Sequence, residues 1–172
     1  KERIAAFFQE NHTPKETEKD PLGTSSRGDF YRRRKLAMAA ITYRETKDFT
    51  ERELERLFLS VGWESGRYPE QLKRGMEHSS QVISAWDGEK LIGLVRGLDD
   101  GETVAFLHYL LVDPAYQGRH IGQELMERIL EKYRHMLHIK IMPSDPKTVP
   151  FYERFGFVAG GNYTAMELNQ MQ

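Results

Sequence analysis

The spacing of apolar positions changes several times along this chain, and each change marks an element. From Ala40 to Glu45 apolar and polar residues alternate, which predicts a strand. Thr50 stands three residues before Glu53, the spacing of a capping box. Leu54, Leu57 and Phe58 then recur at helical intervals, predicting a helix through Val61. A second helix runs from about Pro69 to Glu77, with its proline in the first turn, where no hydrogen bond is lost. Three apolar segments, QVISAW, LIGLVRGL and TVAFLHYLLV, are separated by the turns DG and DDG and predict an antiparallel meander. Helical spacing returns at Ile121, Leu125, Ile129 and Tyr133, a helix from about Ile121 to Arg134. HIKIM predicts a short strand. VPFYERF predicts a short helix that tolerates Pro150 in its first turn. Phe157–Val158 and Tyr163–Leu168 form a candidate final hairpin. The order β-α-α-β-β-β-α-β-α-β-β, with no internal repeat, predicts a mixed and mostly antiparallel sheet, an α/β (α+β) fold.

The first 37 residues follow another pattern and read as an N-terminal extension, linker or leader ahead of one domain over 38–172, with Met38 as a candidate start. KERIAAFFQEN has the spacing of a short amphipathic helix, with Ile4, Phe7 and Phe8 on one face. HTPKETEKDPLGTSSRGD reads as a linker. Four consecutive basic residues follow, Arg32 to Lys35. They suit either a contact with nucleic acid or an acidic partner, or a solvated linker.

Composition narrows the function classes. Of the 172 residues 39 % are hydrophobic and 30 % charged, as in globular proteins. The net charge of -1 gives no global field for nucleic acid, so no nucleic-acid partner is expected. Cysteine is absent, which removes disulfides, thiolate metal sites and a cysteine nucleophile. Without a long apolar run the chain is expected to meet no membrane and to be cytoplasmic.

The stretch LVDPAYQGRHIGQEL, Leu111 to Leu125, joins a strand to a helix through two glycines. A helix N-terminus leaves unpaired N–H donors and a partial positive charge, which suit a phosphate. The turn is not a P-loop, because no Gly-Lys-Ser/Thr follows, and it lacks the Gly-x-Gly-x-x-Gly of a dinucleotide fold. An ordinary strand-to-helix turn explains Gly118 and Gly122 equally well at this level.

The order of elements together with two motifs resembles the GCN5-related N-acetyltransferase (GNAT) family. QGRHIG, Gln117 to Gly122, is similar to that family's pyrophosphate motif, and FYERFGF, Phe151 to Phe157, to its C-terminal motif. His120 stands where the family usually has its middle glycine. The resemblance covers about Ile41 to Leu168 and implies a central sheet with helices on both faces. It implies acetyl-CoA as cosubstrate and no metal. Pantetheine would pair with the backbone at Leu111 and Val112. The pyrophosphate would rest on N–H groups of Gly118, Arg119, His120, Ile121, Gly122 and Gln123, beside Gln117. FLHYLLV resembles the arylalkylamine acetyltransferases, which makes His108 the candidate base. Tyr152 matches the family's general acid, which protonates departing thiolate. Relatives often dimerise through C-terminal strands, so a homodimer is a candidate state.

Chemistry bounds these roles. An alkylamine of pKa near 10.4 is only about one part in a thousand neutral at pH 7.4, a cost of about 4 kcal/mol, so its proton needs a route. His108 would act through water or on an amine of lowered pKa; otherwise it is a hydrogen-bonded core histidine. Glu64, Glu102 and Tyr109 are alternative bases. Tyr152 is otherwise an amphipathic core tyrosine. Asp145, seven residues before it, either contacts pantetheine or caps a helix. Trp63, Glu64, Arg67 and Tyr68 could enclose an acceptor or form a core lid. Arg96 either faces the site or balances the Asp99–Asp100 turn, and His135 and His138 have weak metal spacing. The functional expectation is acetyl transfer to a primary amine of a small molecule or peptide, by direct attack. A non-catalytic acyl-CoA sensor on the same fold is the alternative, and a partner bound through Arg32 to Lys35 a third.

Overall fold

The computed structural model describes residues 40–160 and Met166. Residues 40–141 belong to one compact unit and residues 142–160 to a second. In the first unit five strands form one sheet in sequence order: β1 (Thr42–Glu45), β2 (Gln81–Asp87), β3 (Lys90–Asp99), β4 (Val104–Val112) and β5 (His138–Ile141). The first four are antiparallel and β5 joins β4 in parallel, the mixed sheet expected.

Helix α1 (Glu51–Ser60) starts at the expected capping box. The Thr50 hydroxyl accepts from the Glu53 N–H (3.2 Å), and the Glu53 carboxylate accepts from the Thr50 N–H (2.7 Å). Helix α2 (Pro69–Glu77) follows a 3-10 turn at Glu64–Arg67. Leu54, Leu57 and Phe58 of α1 and Leu72 and Met76 of α2 pack with Val82, Trp86, Leu91, Leu94 and Leu111 of the sheet into one apolar core. Helix α3 (Ile121–Lys132) covers the opposite face. Ile121, Leu125, Met126 and Ile129 are buried along one stripe, and Leu125 reaches Gly93 of β3. Helices therefore cover both sheet faces.

Tyr133 shows how closely that second layer fits. Its ring lies on Gly97, and its hydroxyl donates to Asp99 at 2.8 Å. Burial first, and then this carboxylate, raise its pKa.

The second unit carries a 3-10 turn (Pro146–Thr148) and helix α4 (Val149–Glu153), with Pro150 in its first turn as expected. Phe157 and Val158 are not in a strand. The rest of the candidate hairpin, apart from Met166, and the whole extension over 1–37 lie outside the described residues.

Adding a methyl at Gly97 would bring it to 2.2 Å from the Tyr133 hydroxyl. Gly97→Ala should therefore displace Tyr133 from Asp99 and lose about 2–4 kcal/mol in urea unfolding. An unchanged midpoint would mean that the tyrosine side of the layer is loosely packed.

Candidate active site

Strand β4 is the backbone of the site. It pairs with β3 up to Val112, yet with β5 only from Val104 to Leu107. From His108 onward the β5 side of the strand is free of that ladder, so its peptide groups there can meet a ligand. A bulge falls at the same place. Leu94 faces Leu111 and Arg96 faces His108, so β4 has one residue more than β3 over this interval. Tyr109 absorbs the bulge with φ of 57°, a left-handed conformation uncommon outside glycine.

The bulge re-aims side chains. Alternation alone would send His108 and Tyr109 to opposite faces; instead their rings lie 3.7 Å apart. Tyr109 packs edge-on against Phe58 (4.8 Å) and tilted against Trp63 (5.8 Å), giving an aromatic wall beside the histidine. Arg96 lies on the same face, with its guanidinium 5.0 Å from the Tyr109 ring. Burial, and then the Arg96 charge, push the His108 pKa down to about 4. His108 is therefore neutral at physiological pH.

Beyond Val112 the chain turns sharply. Asp113 is only 6 % exposed and anchors the turn. Its carboxylate accepts from the Ala115 N–H (3.0 Å) and pairs with Lys90 (3.0 Å) and Arg56 (3.3 Å). Arg56 also donates to the Leu91 carbonyl, tying α1 to β3. Burial alone would raise the Asp113 pKa. The Lys90 and Ala115 hydrogen bonds and the two cations overcome it and hold the carboxyl below its ordinary value. Tyr116 continues the anchor by donating to Asp87 at 2.8 Å, and Arg119 lies 5.2 Å over its ring.

The glycine turn then opens α3. Gly118 has φ of 74°, and His120, the N-cap, has φ of 60° with no side-chain cap. The family motif's glycine at this place has a physical reason: the backbone is left-handed there, and histidine adopts it at a cost of about 1 kcal/mol. The first helical bond runs from the Glu124 N–H to the His120 carbonyl (3.0 Å). Ile121, Gly122 and Gln123 therefore have N–H groups without an intrahelical acceptor. Gln117 donates from its amide to the Val112 carbonyl (3.1 Å), closing the turn onto the strand end. Leu111, Val112 and Gln117 through Gln123 lie together around the strand exit.

Other sequence expectations divide. Arg96 faces His108 and Tyr109, whereas Asp99 is occupied by Tyr133 and by the Gly101 N–H, so the turn-balancing alternative falls. Glu64 is exposed and pairs with Arg67 at 3.6 Å, and Glu102 lies exposed in the β3–β4 turn. Asp145 caps the 3-10 turn by accepting from the Lys147 N–H (2.9 Å). In the second unit Tyr152 is half-buried between Phe151 and Phe157, and burial raises its pKa. Among the described residues no group of three potential ligands gathers for a metal. Sequence reasoning missed Asp113, Arg56 and Lys90. The Asp-Pro after an apolar strand was the available signal, but its two cations come from distant segments.

A free strand edge running into a bare helix N-terminus defines a site for an elongated ligand with an anionic end. A model of the acetyltransferase (GNAT) family matches residues 50–157, and the chain belongs to that family. A protein of Porphyra purpurea named uncharacterized N-acetyltransferase ycf52 is 26 % identical over 129 residues, 72 % of this chain and 74 % of that one. Serotonin N-acetyltransferase 2, chloroplastic, of Oryza sativa subsp. japonica is 29 % identical over 109 residues; the match spans 60 % of this chain and 54 % of that relative. A solved GNAT family acetyltransferase from Streptococcus pneumoniae TIGR4 superposes with a TM-score of 0.65 at 28 % identity, covering 76 % of this chain and 99 % of that one.

Because the folded pKa of Asp113 is depressed, its stabilising effect is complete above about pH 4 and is lost as pH falls through the lowered value. Asp113→Asn should lose about 1–3 kcal/mol at pH 7. The gap from wild type should narrow in unfolding curves taken toward pH 3. A gap that holds constant with pH would mean packing, not charge, anchors the turn.

Proposed function

We propose that this chain transfers an acetyl group from acetyl-CoA to the primary amine of a small molecule by direct attack. The observation that carries the reading is the continuity of the free β4 edge, at Leu111 and Val112, with the N–H groups of Gly118 to Gln123. Leu111 and Val112 hold the pantetheine amides. The turn, with Gln117 and Arg119 beside it, holds the pyrophosphate. Backbone donors suit this task because they are fixed in place and cannot titrate. Acetyl-CoA supplies the acyl group as a reactive thioester.

His108 handles the proton of the amine. With its pKa near 4 it cannot strip an ordinary ammonium, a mismatch of about six pKa units or roughly 9 kcal/mol. The amine therefore enters neutral. Once its nitrogen is bonded to the acyl carbon, the remaining N–H proton is far more acidic, and a weak neutral imidazole suffices to take it. Tyr152 is assigned as proton donor to the departing sulfur on the motif that carries it. Burial keeps it protonated at neutral pH. Since a phenol is less acidic than a thiol, its help is a hydrogen bond to the sulfur more than full transfer. The half-buried aromatic pair Trp63 and Tyr109, backed by the buried Phe58, favours an acceptor with an apolar or aryl group. The rice relative's name, serotonin N-acetyltransferase, supports the same class.

Calorimetry with acetyl-CoA tests the first half. Wild type should bind at micromolar concentration, and His120→Gly, relieved of its left-handed strain, should bind as tightly or tighter and melt no lower. No heat from either protein would end the acetyl-CoA reading.

The pH dependence tests the second half. At saturating acetyl-CoA, kcat/KM for the amine should climb with the amine's own ionisation and show no inflection near 6.5. His108→Ala should lower kcat about 100-fold. An inflection between pH 6 and 7 that His108→Ala abolishes would contradict a neutral, low-pKa imidazole.

A further inference from the structure

Arg96 is a half-buried cation that pairs with no carboxylate among the described residues. Its Nε is buried with no hydrogen-bond partner. Among the described residues Tyr109 is the titratable neighbour that acts on it electrically, and Arg96 acts in turn on His108. The Tyr109 face meets the guanidinium on one side at 5.0 Å. On the other side α2 comes close at Gly75, where an added methyl would stand 3.1 Å from the Arg96 Nη1. A glycine at that helical position leaves room for the guanidinium, although glycine weakens a helix interior. Burial in these surroundings lowers the Arg96 pKa, the mark of a charge that water no longer solvates well.

The position of this charge matters. Arg96 stands directly across from His108, on the face that also carries the aromatic wall. It is one bulge away from Leu94 and Leu111, where β4 approaches the anion turn. A guanidinium in this place repels an incoming ammonium and lowers the pKa of an amine held beside it. Its positive charge also attracts an oxyanion brought beside it. An acceptor with a cationic amine alone would meet only the repulsion. One that carries an oxyanion beside its amine would supply the missing counter-charge.

Resting on the acetyl-transfer reading above, we propose that Arg96 is the specificity-determining residue of the acceptor site, and that it selects amines carrying a carboxylate or phosphate next to the nitrogen. Trp63 and Tyr109, backed by the buried Phe58, take the apolar remainder of such a molecule, and His108 faces its amine. α-Amino acids fit this chemistry; their decarboxylated amines lack the oxyanion, so this chain would share with the rice serotonin N-acetyltransferase only the preference for an aryl group.

The test is paired kinetics on the full chain. Release of CoA is followed with phenylalanine against phenylethylamine, and with O-phosphoethanolamine against ethanolamine, in wild type, Arg96→Lys and Arg96→Met. Wild type should favour the anionic member of at least one pair by tenfold or more in kcat/KM. The favoured pair tells carboxylate from phosphate. Arg96→Met should erase the preference, chiefly by raising KM for the amine, with KM for acetyl-CoA unchanged. Arg96→Lys should keep part of it, and it carries the test if the Met variant fails to fold. Equal or better turnover of the uncharged-tail amines by wild type overturns the proposal. So does a preference that survives in the variants. If acetyl-CoA binds but none of the four amines is acetylated, the anion proposal falls while the acetyl-CoA site stands. If acetyl-CoA does not bind, both fall.

Discussion

Strand β4 is paired along its length on one side and for only four residues on the other. Everything that gives this protein a site follows from that asymmetry. Pairing with β5 stops at Leu107, and the bulge at Tyr109 turns the strand so that its later peptide groups have no ladder to complete. An edge of this kind in the middle of a sheet is costly unless something fills it, because buried N–H and C=O groups need partners. In the proposed function a pantetheine chain, itself a string of amides, would meet that need as a short extra strand.

The turn after β4 must hold its shape against charge repulsion and backbone strain. Two positive φ angles occur within three residues, at Gly118 and His120, ahead of a helix whose positive end faces outward. Asp113 counters this by binding Arg56 from α1, Lys90 from β3 and its own turn's Ala115 N–H. One carboxylate thereby locks three chain segments around the strand exit. The segment that would cradle phosphate is stiff before any phosphate arrives, so little order remains to be bought on binding.

The face that carries His108 rests on a different balance. His108 and Arg96 share one face; burial lowers the pKa of both, and the Arg96 charge lowers that of His108 further. The site thus keeps its histidine neutral at the expense of basicity. That suits a reaction in which the nitrogen becomes acidic only after it has bonded to carbon. Tyr109, strained and half-buried, joins the aromatic wall to the histidine and roofs the guanidinium. Its conformation persists because Phe58 and Trp63 hold the ring in place.

By itself the sequence determined the elements and their order. Apolar runs bounded by turns became β2 to β4, the Thr50–Glu53 pair started α1, and Ile121 to Ile129 laid one stripe of α3 on the sheet. These features are local, set by backbone geometry over a few residues. The motif QGRHIG was equally legible, and its departure at His120 marked a residue that the fold holds in a glycine-like conformation. Tertiary structure alone decided the bulge, because FLHYLLV is uniformly strand-like and nothing in it singles out Tyr109. It also decided that Arg96 faces His108 instead of the Asp99–Asp100 turn, and that Asp113 gathers Arg56 and Lys90 from 57 and 23 residues away. Strand register and long-range ion pairs depend on which segments meet in space. The spacing of neighbours along the chain does not carry that information.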